Sequence, residues 1–199
     1  GDLKAVARAI LLDPEARGDA KSDPNYGKLR EPVQFVTNFL KHFNVRSANG
    51  AQQSDGVIDR LSSPLGQNAF FAPTVFNYYS PDYIIPGTSL LGPEFGILTT
   101  GTAIARSNII NTMTFNRINA GTNVPQGTSI DLSEMAQLAQ TDTTGNLLVD
   151  TLNARMLHGT MSPQMKNTIL TAVQAAASSN PTLRAQTAIY LVATSSQFQ

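Results

Sequence analysis

Residues 70–83 read FFAPTVFNYYSPDY, a concentration of rings in a chain that is only 7% aromatic. Pro73, Pro81 and Pro86 forbid both a regular helix and a central strand, because proline lacks the N–H that either ladder needs. Residues 66–92 are therefore expected to form a long ordered loop, rich in rings and prolines, packed between helices as interior filling. The other use of such rings is to line a binding site, where tyrosine hydroxyls find polar partners.

On both sides of this stretch the apolar spacing is helical. Leu3, Val6, Ala7 and Ile10 form one stripe of a short helix that ends near Asp13-Pro14, and a charged loop covers residues 14–30. Pro32 suits the first turn of a helix with Val33, Val36, Leu40 and Phe43 on one face. A polar loop over 44–56 has turn pairs at Asn49-Gly50 and Asp55-Gly56, and a brief helix covers 57–65. Past the aromatic stretch, one long helix is expected from Pro93 through residue 116, with Phe95, Leu98, Thr102, Ala105 and Ile109 on one stripe. Ile97, Ile104 and Phe115 fall elsewhere around it, so contact on several sides is expected.

The last third of the chain has the clearest punctuation. Asp131 with Glu134 reads as a capping pair that opens a helix through Leu138. Leu148, Leu152 and Met156 then recur four apart. Ser162-Pro163 and Asn180-Pro181 each place a side-chain cap before a helix-compatible proline, and Ala185, Ala188, Ile189 and Val192 make the buried stripe of the last helix. The fold class expected is mainly α: an irregular helical bundle with one long ordered aromatic, proline-rich loop, as a single domain over residues 1–199.

Composition excludes several functions. Lys and Arg total 14 and Asp and Glu total 14, so no net field draws the chain to nucleic acid. Cysteine is absent, which removes disulfides, thiolate nucleophiles and cysteine-ligated metals. No apolar run is long enough to span a bilayer. Charged residues are 14% of the chain, against roughly 25% in an ordinary soluble domain. Within residues 61–105 the only charged side chains are Asp82 and Glu94, and this middle portion is expected to be the most enclosed.

Few residues point to chemistry. His42 and His158 both fall near helix ends, where they suit capping or solvated roles. No G-x-S-x-G elbow, metal-binding spacing or phosphate loop is present, so no catalytic residue, metal site or cofactor is assigned. Gly96 and Gly101 read as points of close approach by a ring or backbone. Asp82 and Glu94 are available as a carboxylate pair, but caps of turns and helix starts use such residues equally. Arg106 is the first basic residue after Arg60; buried in a helix, it needs a partner, and Asp82 or Glu94 is the expected one. Asn77, Tyr79, Asp82, Glu94 and Arg106 together form the candidate pocket, between residues 70–83 and 93–116.

Several segments together resemble the C-terminal part of the bacterial domain of unknown function family 1800. They are DLKAVARAILLDPEAR at 2–17, KLREPVQFV at 28–36, LGQNAFFAPTVFNYYSPDYIIPG at 65–87, PEFGILTTGTAIARSN at 93–108 and AIYLVATSSQFQ at 188–199. The resemblance implies a larger, exported parent protein in an extracytoplasmic setting (periplasmic or secreted), of which this chain is a C-terminal fragment. It also implies two partners: the N-terminal portion of the same parent chain, and a sulfatase-like neighbour protein. It implies no reaction.

The function expected is thus a non-catalytic scaffold or interaction module. The alternative is an enzyme or carbohydrate-binding domain using the candidate pocket. A third possibility, a lid or half-site completed by the rest of its parent chain, would show itself as exposed apolar surface.

Overall fold

Two of the helices that build the core open on side-chain caps that are written in the sequence. The computed structural model describes residues 1–18, 27–56 and 58–199. Asn180 Oδ1 accepts from Leu183 N at 3.0 Å, and Pro181 opens the helix Pro181–Ala193. Ser162 Oγ accepts from Met165 N at 3.2 Å and starts Pro163–Ala175 in the same way. Between these caps and the middle of the chain lie Thr100–Phe115, Ser133–Thr141 and Asn146–Met156. In chain order the α-helices are α1 (Leu3–Leu12), α2 (Pro14–Arg17), α3 (Pro32–His42), α4 (Ile58–Ser62), α5 (Thr100–Phe115), α6 (Ser133–Thr141), α7 (Asn146–Met156), α8 (Pro163–Ala175) and α9 (Pro181–Ala193). Short 3-10 turns follow α4 at Ser63–Leu65 and precede α5 at Pro93–Ile97.

The fold is mainly α, and among the described residues there is no strand, only isolated bridges such as Arg46 with Ser129. Helix α9 is central, packed on α5, α6, α7 and α8. Its Ala185, Ala188, Ile189 and Val192 are fully buried; small side chains at two of these positions let neighbouring helices approach closely. Leu148, Leu152 and Met156 of α7 complete the same core.

Several expectations are corrected. The buried face of α3 is centred on Phe35, Val36, Phe39 and Leu40, so Val33 lies at its margin. Within 14–30, residues 14–17 form one helical turn, and residues 19–26 lie outside the described residues. Val57, at the expected start of the brief helix, also lies outside them. The helix expected from Pro93 is broken: Thr99 Oγ1 accepts from Thr102 N at 3.2 Å while Thr99 N donates to Thr102 Oγ1 at 2.8 Å. This reciprocal cap starts α5 anew. Helix α5 buries Arg106, Ile110, Met113 and Thr114, a different stripe from the one expected, and Ile104 stays exposed. Asp131 bonds Ser133 N at 3.0 Å, but Glu134 turns away to Arg155, so the expected reciprocal pair at α6 is not formed.

The largest correction concerns the rings. Residues 67–92 contain no helix, yet they do not fill the interior: Phe70 is 100% exposed, Phe71 72%, Val75 93% and Phe76 66%. A low density of charge in 61–105 therefore marks an apolar surface, not an enclosed core. Gly96 does mark a close approach, since a Cβ there would lie 3.2 Å from Tyr79 Cβ and 3.5 Å from the Tyr83 ring. Gly101 marks none; the nearest atom is Thr99 Oγ1 at 3.7 Å.

Candidate functional site

The N-terminus of α3 organises the polar residues behind the aromatic loop. Glu31 occupies the cap position without capping the helix through its own side chain. That role falls to Gln67, 4% exposed, whose Oε1 accepts from Val33 N at 2.8 Å and whose Nε2 donates to Glu31 Oε2 at 2.6 Å. One amide thereby satisfies a first-turn N–H of α3 and fixes the Glu31 carboxylate.

Tyr79 meets this carboxylate from the loop side. Burial, the hydrogen bond with Glu31 and the charges of Glu31 and Glu94 together push its phenol well above the usual tyrosine range, with a bond to Asn77 opposing them. Glu94 is only 12% exposed in its side chain and pairs with Lys28 Nζ at 2.8 Å. Burial opposes its ionisation, but the Lys28 hydrogen bond, a backbone N–H and the Lys28 charge outweigh burial and hold the carboxyl below its ordinary value. Asn77, Tyr79 and Glu94 are thus brought together with Glu31, Gln67 and Lys28.

Asp82 stands apart from this group. It is exposed, bonded to Ser80 Oγ, and that bond holds its carboxyl below the ordinary range. Asp82 and Glu94 therefore have separate partners.

Arg106 is 1% exposed. The expected ion pair with Asp82 or Glu94 is not formed. Its Nη2 donates to the carbonyl of Arg30 at 2.8 Å and its guanidinium lies 5.0 Å from the Phe35 ring centroid. Nε and Nη1 have no partner among the described residues. Burial pushes this guanidinium below its ordinary range, and its sealed nitrogens are out of reach of a ligand at the surface.

The two histidines lie elsewhere. His42, in the last turn of α3, bonds Asn38 Oδ1 at 3.1 Å and lines a cavity of about 100 Å³ with Asn44, Asp131 and Glu134. Burial, followed by the charges of His158, Arg30 and Arg155, lowers its affinity for a proton. His158 is exposed just beyond α7. No group of three or more His, Asp or Glu side chains able to hold a metal occurs among the described residues. No helix is long and apolar enough to cross a membrane among them.

Sequence reasoning missed Glu31, Gln67 and Lys28. The only local signal was Glu31-Pro32 at a helix start; Gln67 acts from 34 positions away. Chemically the group sets the Tyr79 phenol beside the Glu31 and Glu94 carboxylates and the Lys28 ammonium, an arrangement that suits ligands rich in hydroxyl donors.

The family model described as protein of unknown function (DUF1800) matches residues 1–199, the whole chain, and the chain belongs to that family. Comparison with curated proteins and with solved structures finds no match.

Proposed function

We propose that this member of the DUF1800 family is a non-catalytic interaction module of an exported bacterial protein, with the aromatic loop as its docking surface. The observation that carries the reading is the exposure of Phe70, Phe71, Val75 and Phe76 on a loop whose backbone is tied down. Phe71 N donates to Asn68 O at 3.0 Å, Ile85 N to Leu90 O at 2.9 Å and Gly92 N to Tyr83 O at 3.0 Å. Tyr78 donates to Asn68 O and accepts from Phe71 N. Exposed apolar side chains on a backbone held in one shape suit association, because little ordering cost remains on binding.

The partners that fit this reading are the N-terminal portion of the parent chain and a sulfatase-like neighbour protein. The test is co-elution of the full parent protein with that neighbour, and of the separated portions of the parent chain with one another. Phe71→Asp with Phe76→Asp is expected to abolish the interaction while leaving the helical circular dichroism unchanged. Co-elution indifferent to both substitutions would remove the loop from the interface.

A second reading is favoured by one observation, the phenol of Tyr79 held between Glu31 and Glu94 beside exposed rings. That arrangement suits a hydroxyl-rich ligand such as a carbohydrate. Isothermal titration with neutral oligosaccharides tests it, and heat lost in Glu31→Gln and Tyr79→Phe supports it.

A further inference from the structure

The aromatic loop meets the helical body at a short segment that a second, distant segment also grips. Residues 28–31 belong to no helix or strand. Lys28 Nζ pairs with Glu94 Oε1 at 2.8 Å, just past the loop. Glu31 Oε2 accepts from Gln67 Nε2 at 2.6 Å, and the Glu31 carboxylate also bonds the Tyr79 phenol. Arg30, between them, has different partners. Its main-chain N–H donates to Gln199 O at 2.7 Å and its main-chain carbonyl accepts from Arg106 Nη2 at 2.8 Å. Its guanidinium donates to Phe198 O and stands 4.8 Å over the Phe198 ring.

Residues 195–199 follow α9 as a turn outside the helix. Phe198 N bonds Ser195 O at 3.2 Å, and Gln197 Nε2 bonds Thr160 O at 3.2 Å. The Phe198 ring is fully buried, with centroids 5.7 Å from Phe35 and 6.5 Å from His42, while Ser196 and Gln197 are exposed. One ring and two carbonyls of this segment therefore fix Arg30, whose neighbour in sequence anchors the aromatic loop. Arg30 and Glu31 share a rigid peptide plane, so a shift of one is passed to the other. A short segment outside the helices, held by few contacts, opens at a lower cost than the core does.

Resting on the docking reading above, we infer that residues 195–199 are a strap that regulates the aromatic loop. With Phe198 seated, Arg30 is fixed, and the Lys28–Glu94 and Glu31–Tyr79 contacts present the loop in its docking shape. With Phe198 unseated, residues 28–31 shift and the loop loses that shape. A partner must then supply the ordering cost, so it binds more weakly. Energetic coupling between two sites is reciprocal, so loosening the loop at Tyr79 also loosens the strap.

Hydrogen exchange on the chain by itself tests the coupling. Arg30→Met keeps the stem and the main-chain bonds but loses the grip on Phe198 O, and Phe198→Leu keeps the apolar filling but loses the ring contacts. Each is expected to speed exchange at the Phe198 and Gln199 amides. Each is also expected to speed it by about fivefold or more at Phe71, Ile85 and Gly92, whose N–H groups close the aromatic loop. The amides of Val149 and Leu152 in α7 are expected to stay as in the wild type. In the reverse direction, Tyr79→Phe is expected to speed exchange at Phe198 and Gln199.

Loop amides that stay unchanged in Arg30→Met and Phe198→Leu, or that speed up only together with those of α7, overturn the inference. So does a Tyr79→Phe chain whose strap exchanges as in the wild type. None of these measurements needs a partner, so the two readings fail separately. A coupled loop that co-elutes with nothing removes the docking reading and leaves the strap. An uncoupled loop whose partner binds wild type and Arg30→Met equally leaves the docking reading and removes the strap.

Discussion

The guanidinium of Arg106 lies 5.0 Å from the centroid of the Phe35 ring, and its Nη2 donates to the carbonyl of Arg30 at 2.8 Å. Arg30 in turn stands 4.8 Å over the Phe198 ring, and Phe198 meets Phe35 with centroids 5.7 Å apart. Two cations and two rings thus form a closed circuit joining α3, α5 and the end of the chain. Cation–π attraction replaces the expected carboxylate, and Nε and Nη1 of Arg106 have no hydrogen-bond partner among the described residues.

Replacing a buried, incompletely bonded ion by an apolar side chain of similar length removes a desolvation cost. Arg106→Met is therefore expected to leave stability unchanged or raise it by ~1–4 kcal/mol. Arg106→Ala is expected to lower it by about 2–4 kcal/mol through the space left against Phe35. Urea unfolding of the two variants separates the outcomes, and a loss in both would mean that the charge itself stabilises the fold.

Gln67 serves α3 from outside the helix, bonding Val33 N at 2.8 Å and Glu31 at 2.6 Å. Gln67→Leu keeps the volume and removes both bonds. An expected loss of about 1–3 kcal/mol combines the missing cap with the desolvated groups left behind. Hydrogen exchange should rise first at the amides of the first turn of α3.

Two pH dependences follow from the site. Tyr79 is raised by burial first and by Glu31 second, so in an ultraviolet titration it should ionise above the usual tyrosine range. Glu31→Gln should bring it down in part. A group raised in the folded state contributes stability below its unfolded value, and this share is lost as the pH climbs through the alkaline range. Glu94, Asp131 and Glu134 behave oppositely. Glu94 is lowered by Lys28 against burial, Asp131 chiefly by Ser133, and Glu134 chiefly by Arg155. Their contribution is present above the ordinary carboxylate range, around pH 4, and disappears as the pH falls below it. Melting temperature against pH should slope less steeply on the acid side in Glu94→Gln.

Gly127 sits at φ 65° where a Cβ would lie 2.4 Å from the Ile118 carbonyl oxygen and 2.8 Å from Ala48 Cβ. Its N–H and that of Gln126 both donate to Asp55, which clasps the 117–129 loop to the 44–56 loop. Gly127→Ala is expected to cost ~2 kcal/mol or more, since the conformation and the space are both denied. Gly159, also left-handed at φ 84° but with nothing within 4 Å, should cost less on the same change; equal losses would point to backbone conformation alone.

How much was legible in advance depended on how local the cause was. Ser162-Pro163 and Asn180-Pro181 state their caps within four residues, and the stripes Leu148-Leu152-Met156 and Ala185-Ala188-Ile189-Val192 repeat at helical spacing; all of these appear as read. The break before α5 was also local, written in Thr99 and Thr102, but it was masked by the apolar residues on either side of it. Of the candidate site, the sequence brought Asn77, Tyr79 and Glu94 into view; Glu31 and Gln67 were not visible, because Gln67 reaches α3 across 34 positions.

The helical class, the positions of the closing helices and the irregularity of the proline-broken stretch follow from the order of residues, because capping, periodicity and proline geometry act over one or two turns. That the rings face outward and that Arg106 rests on Phe35 instead of a carboxylate comes from the packing of the helices. Burial and pairing depend on which distant surfaces meet, and spacing along a chain does not encode that.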